Sequence, residues 1–143
     1  MSRFLKSSTV LALIVMLAAP TAAMAFRAQN TLKVNPEGNG QFEVIQRGGM
    51  SGAADIWCAA GDYALRRLGA AANQRVYLVE GKHIARTEER RRFGYSFSLT
   101  PPAQALQQTP LTLSLNAVGD NLRAISAQQY CYDRLGDPNI IRP

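Results

Sequence analysis

Residues that carry chemistry are scarce in this 143-residue chain, which holds two Cys, one His and one Trp. If the cysteines pair, His83 is the only soft ligand left, short of the three or four that zinc requires. The acids are scattered rather than clustered as a calcium loop needs, so the sequence predicts no metal and no cofactor. Neither G-x-G-x-x-G nor a Walker A phosphate loop occurs. The stretch Gly49-Met50-Ser51-Gly52 lacks the G-x-S-x-G spacing of a nucleophile elbow. No internal repeat or dividing linker is visible, and the length suits one domain. With 47% hydrophobic and 18% charged residues, the composition excludes a collagen-like or disordered chain.

A long hydrophobic run is also missing. The uncharged stretch from Val10 to Ala19 is half of the ~20 residues a membrane-spanning helix needs. It follows Arg3 and Lys6 and leads through Pro20 to Ala23-Met24-Ala25, the order of charge, short apolar core and small-residue cleavage site found in secretory signals. The expectation is a cleavable signal peptide over residues 1–25, a mature chain starting at Phe26, and no transmembrane segment after cleavage. The product is then periplasmic or secreted. No twin Arg is present, and no Cys precedes residue 58 to carry a lipid. Removing the signal leaves 14 Lys and Arg against 10 Asp and Glu, an excess of +4, and an apolar share of about 42%.

The mature part reads as a flexible, polar lead over 26–40 followed by a single small domain over 41–143. Gln41 to Gln46 suits a strand, broken by Gly48 and Gly49. A helix is expected between Ser51 as N-cap and Gly69 as C′, with Asp55 near its start and Arg66 and Arg67 near its end to suit the macrodipole. At 100° per residue, Ala53, Ile56, Trp57, Ala60, Tyr63, Ala64 and Leu68 share one side. Cys58 and Leu65 widen that stripe past half the circumference, which predicts burial against two neighbours.

Val76 to Glu80 reads as a strand covered on both faces. Phe93 to Thr100 and Leu111 to Ala117 alternate apolar and small polar residues, the pattern of an antiparallel sheet with one wet face. Pro101-Pro102 and Pro110 bracket a segment with room for one helical turn, and Val118 to Asn121 is a turn signal. A brief strand over Leu122 to Ile125 and a last helix over Ala127 to Leu135, capped by Ser126, complete the chain. The fold class is α+β: an antiparallel sheet of four or five strands packed on one main helix, with a short C-terminal helix.

Cys58 and Cys131 form an even count in an exported chain, so one disulfide is expected. The bridge would close a loop of 73 residues, worth about 4 kcal/mol in the chain-entropy model. Thiol–disulfide oxidoreductases instead space their cysteines two residues apart at a helix start.

Residues 82–92 carry five cations, Lys82, Arg86, Arg90, Arg91 and Arg92, against Glu88 and Glu89. This segment is longer than an ordinary hairpin loop. It could project as a cationic finger toward an anionic envelope polymer or an envelope protein, or lie as a solvated loop with Glu88 pairing Arg92. Export removes the chain from nucleic acid, and Phe93, Tyr95 and Phe97 alternate toward the core instead of forming a stacking platform. Two further chemistries are weighed, a hydrolase using Ser51 or the Glu88/Glu89 pair. Ser51 suits a cap better, and adjacent glutamates point apart. The expectation is therefore an exported, non-catalytic binding or accessory domain held by one disulfide, with no catalytic residues.

Overall fold

The computed structural model describes residues 25–48, 52–105 and 113–133. Six strands form one antiparallel sheet: β1 (Phe26–Arg27), β2 (Lys33–Gly38), β3 (Gln41–Ile45), β4 (Arg75–Ile84), β5 (Phe93–Ser98) and β6 (Asn121–Arg123). Their spatial order is β1-β2-β3-β5-β4-β6. Two helices, α1 (Ala53–Arg66) and α2 (Ala124–Asp133), complete the α+β architecture.

The period-two pattern determines which side of the sheet carries the apolar core, but the opposite side is not the wet face expected, since Glu43, Ser96 and Ser98 on it are buried. Phe42 and Val44 of β3 face Phe97 and Tyr95 of β5, and Leu78 of β4 continues that row. Trp57 and Tyr63 of α1 pack onto it, with ring centroids 5.0 Å apart for Trp57–Phe97 and 4.7 Å for Phe42–Tyr63. The wide apolar arc of α1 is filled as its composition requires. One side meets the sheet and another meets α2, where Gly61 lets the helices touch. A Cβ on Gly61 would lie 2.4 Å from the backbone nitrogen of Gln128, so only glycine fits. Cys58 and Cys131 are joined across this helix pair, with their Cα atoms 4.9 Å apart.

The sheet has six strands rather than four or five because the polar segment 26–40 contributes β1 and β2. Its Pro and Gly content suggested an irregular lead, but Pro36 sits at a register shift, a position in a sheet that tolerates proline. Gly38, Asn39 and Gly40 all take positive φ and turn the chain into β3. In the opposite direction, Leu113 to Ala117 form no strand and bend over Leu115 to Ala117, while Leu111 and Thr112 lie outside the described residues. Ser114 explains the departure. Its hydroxyl accepts from the Asn116 N–H at 3.1 Å, and its carbonyl accepts from the Trp57 indole at 2.8 Å. These bonds replace a strand ladder, and β6 pairs with β4 at that edge instead.

Helix α1 begins with Gly52 in the N-cap position, whose N–H donates to the Asp55 carboxylate at 3.3 Å. Ser51, the expected cap, lies outside the described residues. Gly69 takes a φ of +67°, in keeping with its expected place beyond the helix end. β4 runs on to Ile84, so Lys82 and His83 belong to a strand and not to the loop. α2 starts at Ala124, two residues before the expected cap Ser126. Residues 1–24, which hold nearly all of the expected signal peptide, lie outside the described residues. Among the described residues no helix is long and apolar enough to cross a membrane.

Candidate functional site

The face of the sheet turned away from the helices is polar, and the segment between β4 and β5 folds over it as a strap. Glu43, on the interior strand β3, anchors this strap with a side chain that is fully buried. Its Oε1 accepts the Arg86 N–H at 3.0 Å, and its Oε2 accepts the Thr87 N–H at 3.0 Å and the Thr87 hydroxyl. Asn35 on β2 donates to Thr87 Oγ1 at 3.0 Å and to Glu88 Oε1 at 3.2 Å. Ala85 N–H donates to the Arg92 carbonyl at 2.9 Å and closes the base of the strap. Burial opposes the charge on Glu43, yet the donors of Thr87, Arg86 and His83 outweigh it and hold the carboxyl below its ordinary range.

Beyond this anchor the strap forms one wall of an open pocket of about 340 Å³, whose other walls are the β1–β2 turn and the end of β3. Five cations line it, Arg27, Lys33, Arg47, Arg90 and Arg92, against a single acid, Glu88. Glu88 pairs with Lys33 rather than with Arg92. That pairing, with Asn35, keeps its carboxyl below the usual range despite partial burial. Thr31 at the pocket edge has a φ of +68°, a backbone conformation rare for a β-branched residue. Its hydroxyl accepts from Arg47 at 3.1 Å and its carbonyl from Arg27 at 3.4 Å, so the strained turn positions two of the four guanidinium groups. Gln46 also lines the pocket, and its buried Oε1 has no hydrogen-bond partner.

The cations expected to form one finger are divided by the fold. Arg90 and Arg92 reach the pocket. Arg86 turns the other way and pairs with Glu37 at 2.9 Å and with Glu80. Lys82 lies over the Phe93 ring, 4.3 Å from its centroid. Arg91 is exposed and does not line the pocket. Arg27, Lys33 and Arg47 were not singled out in the sequence, since each is an isolated cation in a different segment. Glu88 and Glu89 do not share a site: the first is held by Lys33 and Asn35, and the second is exposed.

The fold also gives His83 companions that a count along the chain does not reveal. Glu37, Glu43 and His83 each offer a ligand atom, all within 4.8 Å of one another. His83 Nε2 lies 2.7 Å from Glu43 Oε1, and Nδ1 lies 2.8 Å from the Gly81 carbonyl. No family model, curated protein sequence or solved structure matches this chain, and the site is therefore defined by its own residues alone.

Proposed function

We propose that the protein is an exported, disulfide-bonded binding domain that captures an anionic envelope polymer through the pocket beneath the strap. The observation that carries this reading is the convergence of Arg27, Lys33, Arg47, Arg90 and Arg92 on one pocket with only Glu88 to offset them. Arg90 has no ion-pair partner among the described residues, so its charge is available to a ligand. A volume of about 340 Å³ lies at the small end of ligand sites and suits one or two units of a polymer bearing phosphate or carboxylate groups. The unpartnered Gln46 oxygen offers an acceptor to a ligand hydroxyl.

The pocket lining supports reading it as a binding site. Its described walls hold no Cys, His or Ser, and its one carboxylate is engaged by Lys33 and Asn35. Export is supported by the charge–apolar–A-x-A order of residues 1–25 and by the Cys58–Cys131 bridge, which oxidising compartments maintain.

The test uses polyphosphate as an anionic probe and the mature, oxidised protein. Arg90→Ala with Arg92→Ala should weaken binding at least about tenfold, as expected for two lost charge-assisted contacts, and raising salt should weaken the wild type too. Arg91→Ala, outside the pocket, should change affinity less than twofold. Equal losses from Arg91→Ala and from the pocket pair, or binding indifferent to salt, would overturn the reading.

A further inference from the structure

The strap-covered face of the sheet holds a second constellation, separate from the cationic pocket. Three carboxylates, Glu37, Glu43 and Glu80, surround His83, and among the described residues the guanidinium placed between them is that of Arg86. Two oxygens in this region are buried without a partner. One is Oε2 of Glu37, whose side chain is 9% exposed. The other is the hydroxyl of Ser96, a residue 1% exposed. Ser96 stands directly across from Glu43 on one neighbouring strand and from Glu80 on the other, so its side chain shares their face. A buried oxygen without a donor costs about 1–3 kcal/mol, and a bound ion is one of the few arrangements that removes that cost.

From this geometry we propose that Glu37, Glu43 and His83 form a divalent transition-metal site of the zinc class, with Arg86 as the cation that competes for it. Zinc accepts imidazole nitrogen and carboxylate oxygen together at bonds of about 2.0–2.2 Å, which sets tetrahedral ligand atoms about 3.3 Å apart. The three ligand atoms lie within 4.8 Å of one another, so modest side-chain shifts suffice. Arg86 stands in the way: its Nη1 is 3.2 Å from His83 Nε2 and 2.9 Å from Glu37. Its side chain is 53% exposed and can turn to solvent, while its backbone N–H keeps the strap bonded to Glu43. The fourth zinc position is left to water or to a neighbouring oxygen.

The chain contains one His, and both cysteines are in the disulfide, so loss of zinc binding on changing residue 83 reports on this site directly. The experiment titrates tag-free, oxidised protein with zinc alone in competition with a chelating dye, and checks each variant's fold by circular dichroism. Wild type should bind one zinc per chain. His83→Gln and Glu37→Gln, which both leave the Glu43 and Asn35 bonds to the strap in place, should each weaken binding at least tenfold. Arg86→Ala should tighten binding at least fivefold, because a competing positive charge is removed from the ligand set. The proposal is overturned if His83→Gln binds zinc as wild type does, if Arg86→Ala weakens binding, or if neither wild type nor Arg86→Ala takes up zinc. Zinc bound only by exposed carboxylates would be insensitive to both substitutions.

Discussion

Gly94 on β5 lies directly against the carboxylate of Glu43 on β3: a Cβ at residue 94 would sit 2.7 Å from Oε1. This glycine serves no turn. It leaves the room in which a charged side chain is buried within a sheet, and that side chain in turn holds the strap through two backbone N–H groups. Burying a charge is tolerable only when it is fully hydrogen-bonded, and here the strap provides the donors. Sheet and strap are therefore mutually dependent.

Gly94→Ala should displace the Glu43 carboxylate and loosen the strap, costing about 1–3 kcal/mol as overpacking does. Urea denaturation measures the loss, and limited trypsin digestion should cut faster at the exposed Arg90, Arg91 and Arg92. Gly48→Ala is the control, since a Cβ there meets nothing within 4 Å. If both variants are cleaved like wild type, the Glu43 anchor does not hold the strap.

At the helix pair, Gly61→Ala should destabilise by at least about 1–3 kcal/mol. The new methyl would meet Gln128 N at 2.4 Å and the Ala124 carbonyl at 2.8 Å, and backbone cannot yield as a flexible side chain does. The same chemical change inside a solvent-exposed helix would stabilise, so the sign of the shift in denaturation midpoint tests the close packing of α1 on α2.

Denatured but unreduced protein should take up no thiol reagent, and reduced protein should take up two equivalents, as the Cys58–Cys131 bridge requires. Cys131→Ser should lower stability by about 2–5 kcal/mol, read as a shift in the denaturation midpoint. An unchanged midpoint would show that α2 docks without the covalent tie.

Asp62 makes stability dependent on acid. Its side chain is fully buried on α1 and accepts from Arg66 at 2.5 and 2.6 Å, from the Gln29 N–H at 2.9 Å and from Gln128 at 3.0 Å. Burial disfavours the charge, but these donors prevail and lower the carboxyl below its ordinary value of 3.8. A group with a lowered folded value contributes fully above its unfolded value, and the contribution is lost as pH falls through the folded one. Denaturation midpoints should therefore decline below about pH 4, and more shallowly in Asp62→Asn. That variant should already be about 1–3 kcal/mol weaker at pH 7, because an amide donor then faces other donors.

Much of the framework was legible because it depends on short periods. The stripe is a property of 3.6-residue spacing: Ile56, Trp57, Ala60, Tyr63 and Ala64 are buried and Ala53 half-buried, while Leu68, expected on the same side, lies past the helix end and is exposed. The alternation of Tyr95 and Phe97 is a property of the strand pleat, whereas Phe93, expected to turn toward the core with them, is exposed at the strand start beneath Lys82. Residues 33–40 were misread because Pro36, Gly38, Asn39 and Gly40 are turn formers, and only pairing with β3 shows that a register shift absorbs them. Leu113 to Ala117 were misread in the other sense, since the indole of Trp57 captures the Ser114 carbonyl from 57 residues away.

The sequence by itself determined that the chain forms a helix buried on two sides, antiparallel strands, and a pair of cysteines with only each other to bond. Those outcomes rest on local periodicity, turn chemistry and parity. The tertiary structure alone decided that Arg27, Lys33 and Arg47 meet Arg90 and Arg92, and that His83 lies between Glu43 and Glu80. The physical reason is register: a slip of one residue would turn Glu43 toward the helices and Phe42 toward the strap. Register is selected by the packed core as a whole, and no single segment encodes it.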